Sequence, residues 1–260
     1  MTLPIPLNTA SRRAIQNHPA GMADPAALRA QPRPQLRRYS VWSLLPGGTL
    51  AETRRIAPAL PIFEDAFCAF SRGSMVETEA GAVAVEDLLP GDRIVTQDGV
   101  QPLLWKGSTT LVPGRSETQG RKRHLARIMA DGFGVQRPMS CVIAGPSARL
   151  LHTPPHLRAM CDGAQMLTPI QEFIDGMTVI ETAPPTPVEL FHLGLARHAA
   201  IRVNGLEFET YHPGPNAARL LSQAMRPVFL SLFPHVDQLC DFGPLAFARA
   251  GDGQHDAVSA

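Results

Sequence analysis

Cysteine is scarce in this chain: the four present, Cys68, Cys141, Cys161 and Cys240, are far apart in 260 residues and form no CxxC pair. That spacing argues against a disulfide framework and against a cysteine-rich zinc module, and no metal site is expected. No stretch approaches the ~18 consecutive apolar residues of a membrane-spanning helix, so no membrane partner is expected. The opening MTLPIPLNTASRRAIQNHPAG lacks the continuous apolar run of a secretory signal. The cytoplasm is then the default location, unless export uses a C-terminal signal. Neither sign of charge is in excess: 24 Lys and Arg against 23 Asp and Glu leave +1, which points to no nucleic acid or other polyanionic partner. P-loop and dinucleotide fingerprints are absent, and no cofactor is expected. Long helical patterns are few.

What the chain has is 25 prolines, 21 glycines and a 44% hydrophobic fraction, enough for a core built from short strands and turns. Residues 1 to about 35, ending in RAQPRPQLRR, read as a mostly flexible arm. RRYSVWSLLPGGTLAE reads as two strand fragments around a PGG turn. SMVET and AVAV flank a turn at EAG, and VEDLLPGD is a short turn stopped by Pro90-Gly91. RIVTQDGVQPLLWKG is a hairpin around Asp98-Gly99. After a polar loop, LARIMADGFG and CVIAGPSARLLHT are strand-like, and a last hairpin turns at Asn204-Gly205. The tail spaces Leu220, Leu221, Met225 and Phe229 as a helix does, with Pro227 limiting its length. The expected organisation is an N-terminal extension over 1–64, an all-β domain over 65–215 and a partly helical segment over 216–260.

One unit occurs twice. VEDLLPGDRIV, Val85 to Val95, matches IQEFIDGMTVI, Ile170 to Ile180, with apolar, acidic and Gly positions in register. A turn, a Gly that allows a sharp reversal and a strand are repeated, which predicts a duplicated β domain with internal pseudo-two-fold symmetry.

RGSMVETEAGAVAVEDLLPGDRIVTQDG resembles the opening block of the Hint domain, the Hedgehog/intein self-processing module. LFHLGLARHAAIRVNGLEFETY is similar to the closing block of its bacterial stand-alone branch. The resemblance spans about Phe67 to Tyr211, with Gly73, Ser74, Gly91, Asp92, Asn204 and Gly205 as its structural motif residues. It implies a pseudo-two-fold β fold and an acyl shift. In that chemistry a Cys or Ser at the first position attacks the preceding carbonyl, and a His in a second block protonates the departing nitrogen. Counting back from Gly73-Ser74, Ala69 takes the nucleophile position and Cys68 lies one residue upstream. In the second block, Gly145-Pro146-Ser147-Ala148-Arg149, Ala148 stands where the His belongs. In a strand, a one-residue shift turns a side chain to the opposite face unless a bulge restores it. The closing block ends in ETYHPGP without the terminal Asn that splicing uses.

The resemblance therefore implies a catalytically retired domain serving as a scaffold or interaction module, with an unknown protein partner. The competing expectation is an active self-cleaving chain that forms a thioester at Cys68, assisted by His192 or His198. A weaker third is a small metal-dependent hydrolase using His152, His156 and Cys161, although the two prolines between those histidines exclude a helical i, i+4 pair. The basic run Arg121 to His124 reads as a solvated loop, with no aromatic interleaving to suggest nucleic acid.

Overall fold

Leu36–Leu44 and Leu50–Pro58 form the first two strands, β1 and β2, which pair antiparallel from Leu36↔Pro58 to Leu44↔Leu50. The PGG turn between them works because Gly48 sits at φ +76°, a conformation that costs glycine little. The computed structural model describes residues 35–112, 124–154 and 164–251. The expected flexible arm, most of the RKRH run, His156 and Cys161 fall outside the described residues.

A short helix, α1 (Pro61–Glu64), leads to β3 (Phe70–Ser71) and then to two hairpins built alike. β4 (Met75–Thr78) pairs with β5 (Gly81–Ala84), and β6 (Arg93–Thr96) with β7 (Gly99–Leu111). In each, a threonine hydroxyl closes the turn: Thr78 donates to the Gly81 carbonyl at 2.6 Å and Thr96 to that of Gly99 at 2.7 Å. The second turn is Gln97-Asp98, one residue ahead of the expected Asp98-Gly99, because Thr96 pairs with Gly99 and Gly99 opens β7 at φ +108°.

The chain continues through β8 (Leu125–Ile128), β9 (Val142–Ala144), β10 (Arg149–His152), β11 (Met166–Pro169) and β12 (Val179–Thr182). β13 (Val188–Leu195), β14 (Ala200–Val203), β15 (Leu206–Glu209) and β16 (Ala248–Arg249) complete an all-β, open sheet system. At its middle β7 and β13 run antiparallel, from Val188↔Leu111 to Leu195↔Leu103. β7 also receives β1 through Ser40↔Ser108 to Ser43↔Trp105, so the first hairpin belongs to the sheet.

The repeated unit is visible as β5–turn–β6–β7 and β11–3-10 turn (Ile170–Phe173)–β12–β13. Gly91 and Gly176 take φ +107° and +77° at matching points. The capping aspartates differ. Asp92 accepts from the Leu89 N–H at 2.8 Å, whereas Asp175, on the other side of its glycine, accepts from Met177, Thr178 and Val179. Those backbone donors hold the Asp175 carboxyl down at about 2.

The tail forms two helices, α2 (Ala217–Leu220) and α3 (Met225–Leu230), with Pro227 in the first turn of α3, where its missing N–H costs nothing. Leu221 and Phe229 are buried and Leu220 is exposed. α1, α3 and the first hairpin converge on Trp105, which is fully buried and donates from its indole N–H to the Leu232 carbonyl at 2.8 Å. Phe67, Tyr211 and Phe233 surround it with ring centroids 4.9–5.7 Å away. This aromatic cluster is one core, and a larger one of Val, Ile, Leu and Phe fills the space between the hairpins.

Candidate functional site

The opening stretch is pinned by backbone bonds on both sides. Ala69 donates its N–H to the Phe191 carbonyl at 3.0 Å and accepts from Gly145 at 2.8 Å; the Cys68 carbonyl accepts from Ser147 at 3.1 Å. Gly145 is required for this approach, since a Cβ there would stand 2.0 Å from the Cys68 carbonyl oxygen. The Gly145–Ala148 loop thus lies directly on Cys68-Ala69. Ala69 and Ala148 are both buried and share the larger core with Phe70. Cys68 is fully buried in a separate apolar cluster with Leu111, Leu125 and Leu190. Cys68 and Ala69 lie in the irregular stretch just ahead of β3, and their side chains enter different cores.

His192 projects from β13, buried, with Nδ1 3.2 Å from the Asp65 carbonyl oxygen. A carbonyl only accepts, so Nδ1 carries the proton and Nε2 is a bare acceptor. Burial pushes this imidazole down to about 4, against the pull of the Asp65 carbonyl and Glu209, so it is neutral at pH 7. Its ring stands edge-on to Phe70 at 5.8 Å and to Tyr211 at 5.3 Å.

His198 is committed on both ring nitrogens. Nε2 meets Glu209 Oε1 at 2.8 Å and Nδ1 accepts from the Ala246 N–H at 2.9 Å. Glu209 anchors a buried ion cluster, with Arg249 Nε at 2.7 Å and Arg149 at 3.4 Å. Burial raises the Glu209 carboxyl, but the His198 bond and the Arg249 and Arg149 charges outweigh it and bring it to about 2. Burial holds the Tyr211 phenol well above its usual value, so it remains a donor.

Asp65, Ser147, Arg149, His192, Tyr211 and Arg249 line a cavity of about 520 Å³. The structure brings His192 to it and keeps Cys68 out of its lining. Glu209, Tyr211, Arg149 and Arg249 were not singled out from the sequence. The first two carried a signal, because ETY follows an apolar strand whose alternation breaks at a buried acid. Arg249 offered none; its role arises only from chain reversal over 40 residues.

The motif residues shape turns. Gly73 (φ +84°) donates its N–H to Glu86 at 2.8 Å, and Ser74 is buried beside it. Asn204 and Gly205 take φ +49° and +83°, and the Asn204 side-chain oxygen accepts from the Met75 N–H at 2.8 Å, tying the last hairpin to β4. His152 meets the Thr168 hydroxyl at 2.8 Å and stacks edge-on against Phe173. No metal-ligating cluster occurs among the described residues. No helix among them is long and apolar enough to cross a membrane.

The Hint domain family model matches residues 68–215. The chain belongs to the Hint domain family. Solved structures similar to this Hint domain include the gp41-1 intein, 13% identical over 55% of this chain and 98% of its own, with TM-score 0.33. A bacterial intein-like domain from Clostridium thermocellum is 11% identical over 56% of this chain and 99% of its own, with TM-score 0.36. The MchDnaB-1 intein is 10% identical over 55% and 100%, with TM-score 0.33. Among curated proteins, none matches the chain.

Proposed function

We propose that this Hint domain does not cleave itself and serves as a scaffold or interaction module. The observation that carries the reading is the Cys68 thiol, fully buried among Leu111, Leu125 and Leu190. An acyl shift at Cys68 would join its sulfur to the Phe67 carbonyl carbon, break the Phe67–Cys68 amide and deliver a proton to the Cys68 nitrogen. Ala148, in the loop that lies on this segment, holds no proton to give. His192 uses its N–H on the Asp65 carbonyl and has a bare Nε2 at neutral pH; His198 is held by Glu209 and the Ala246 N–H.

The upstream residues support the same reading. Tyr39, Phe63 and Phe67 pack in the Trp105 cluster, and β1 pairs with β7. Cleavage at Phe67–Cys68 would divide a core rather than release a passenger.

Intact mass of the purified chain, with and without dithiothreitol and hydroxylamine, tests this beside Cys68→Ala. One full-length mass under every condition is the expected outcome. Thiol-released fragments ending at Phe67, absent from Cys68→Ala, would instead establish a live thioester.

A further inference from the structure

Among the described residues β2 pairs only with β1, which leaves its other side as a sheet edge. A strand edge presents a row of unpaired N–H and C=O groups, and native edges are commonly short, covered or interrupted by proline. This one runs from Leu50 to Pro58 and carries two large apolar side chains in the open, Leu50 at 55% and Ile56 at 68% exposure. Glu52 and Arg54 lie between them in sequence, 3.5 Å apart and largely exposed.

Which main-chain groups face outward follows from the ladder. The Leu45 N–H donates to the Thr49 carbonyl at 2.9 Å and the Ala59 N–H to the Gln35 carbonyl at 2.7 Å, just beyond the two ends of the β1–β2 pairing. Bonded and non-bonded pairs alternate in an antiparallel ladder, so Ala51, Thr53, Arg55 and Ala57 turn their N–H and C=O toward β1. Leu50, Glu52, Arg54 and Ile56 turn theirs to the open side. The next outward position is Pro58, which has no N–H and whose carbonyl accepts from the Tyr39 hydroxyl at 3.2 Å. The usable edge therefore ends at Ile56.

That outward set is complementary to itself. Two antiparallel copies related by a two-fold axis at Thr53 place Leu50 opposite the partner's Ile56 and Glu52 opposite the partner's Arg54, each pair occurring twice. Outward groups then meet outward groups, and each pair joins two apolar or two oppositely charged side chains, combinations that stabilise a sheet. Other registers lose this. Sliding one copy by two residues sets Glu52 against Glu52 or Arg54 against Arg54, and sliding by one sets outward groups against groups already bonded to β1. Charges that guard the edge against an apolar strand are thus neutralised by its own sequence.

We propose that β2 pairs antiparallel with β2 of a second copy of this chain, joining the two sheets across a two-fold axis at Thr53. The hairpin lies ahead of residues 68–215, the part that matches the Hint family, so the pairing is tested apart from the chemistry at Cys68.

Sedimentation velocity of the purified full chain, from low to high micromolar concentration, provides the test. The chain should pass from monomer to dimer as concentration rises. Glu52→Arg and Arg54→Glu should each raise the dimer Kd by about ten-fold or more, because each sets like charges opposite one another twice, and the two together should restore pairing. Both side chains are largely exposed, so folding is not at stake. Thr53→Cys gives a second readout. Facing residues of a non-bonded pair stand about 4.5 Å apart at Cα, within disulfide reach, so mild oxidation should link two copies through position 53 in a tryptic map. Any of four results would overturn the proposal: a monomer at every concentration, a dimer indifferent to both charge variants, a double variant as weak as the single ones, or a map without the link at position 53.

Discussion

At the scale of single residues, Gly145 and His192 carry the sharpest physics. A Cβ at Gly145 meets the Cys68 carbonyl oxygen at 2.0 Å and its carbon at 2.7 Å, both backbone atoms that cannot swing away. Gly145→Ala should therefore destabilise the fold by about 1–3 kcal/mol or more, the range of an overpacked core. Urea unfolding checks this through the midpoint, with Gly134→Ala excluded as a control because it sits at φ +118° and adds its own strain. His192 is the residue whose titration matters most. Its depressed value means that the unfolded chain binds a proton which the folded one refuses between pH 6.5 and about 4. Full stabilisation holds above ~6.5 and is lost as pH falls toward 4, about 3 kcal/mol in all.

At the scale of elements, Lys106 deserves a variant of its own. It is buried on β7, where its ammonium donates to the Glu86 carbonyl at 2.7 Å and to that of Leu88, and stands 5.0 Å over Trp42. Burial lowers its pKa, opposed by Asp87, Asp92, Glu189 and Glu86. It ties the turn between β5 and β6 to the central strand. Lys106→Met keeps the stem and strands two carbonyls, each worth ~1–3 kcal/mol when buried unsatisfied. The expected outcome is a loss of about 2–4 kcal/mol in urea unfolding, with faster amide exchange over residues 85–92. The hairpins were legible in sequence, because turn residues and glycine announce them locally, although the second turn falls one residue earlier than expected. Lys106 was not, since a lysine in LLWKG looks like a surface residue until the turn folds onto it.

At the scale of the whole molecule, acid should act in two steps. Burial, the first cause in each, also holds His212 and His235 at about 4, alongside His192, so three histidines resist protonation in the fold. Tm should fall as pH drops from 6.5 toward 4, before the Glu209 contribution, present above ~4.5, is lost on the way to about 2. A Tm that stays flat from pH 7 to 4.5 in differential scanning calorimetry would contradict this. The first hairpin gives another prediction. Removing residues 1–60 takes Tyr39, Val41 and Ala57 from the Trp105 core and frees an edge of β7. The shortened chain should unfold or aggregate, with red-shifted Trp105 emission.

Local chemistry in the sequence was enough to establish the all-β architecture, the doubled unit around Gly91 and Gly176, and membership in a self-processing family. Period-two patterns, turn glycines and a signature block depend on neighbours within a dozen residues. The tertiary structure alone decided that Cys68 faces an apolar cluster and that His198 is spent on Glu209. It also decided that Ser147, His192 and Tyr211 line one cavity. Those facts depend on contacts between residues far apart in the chain, and no local pattern encodes which side of a strand a distant loop will cover.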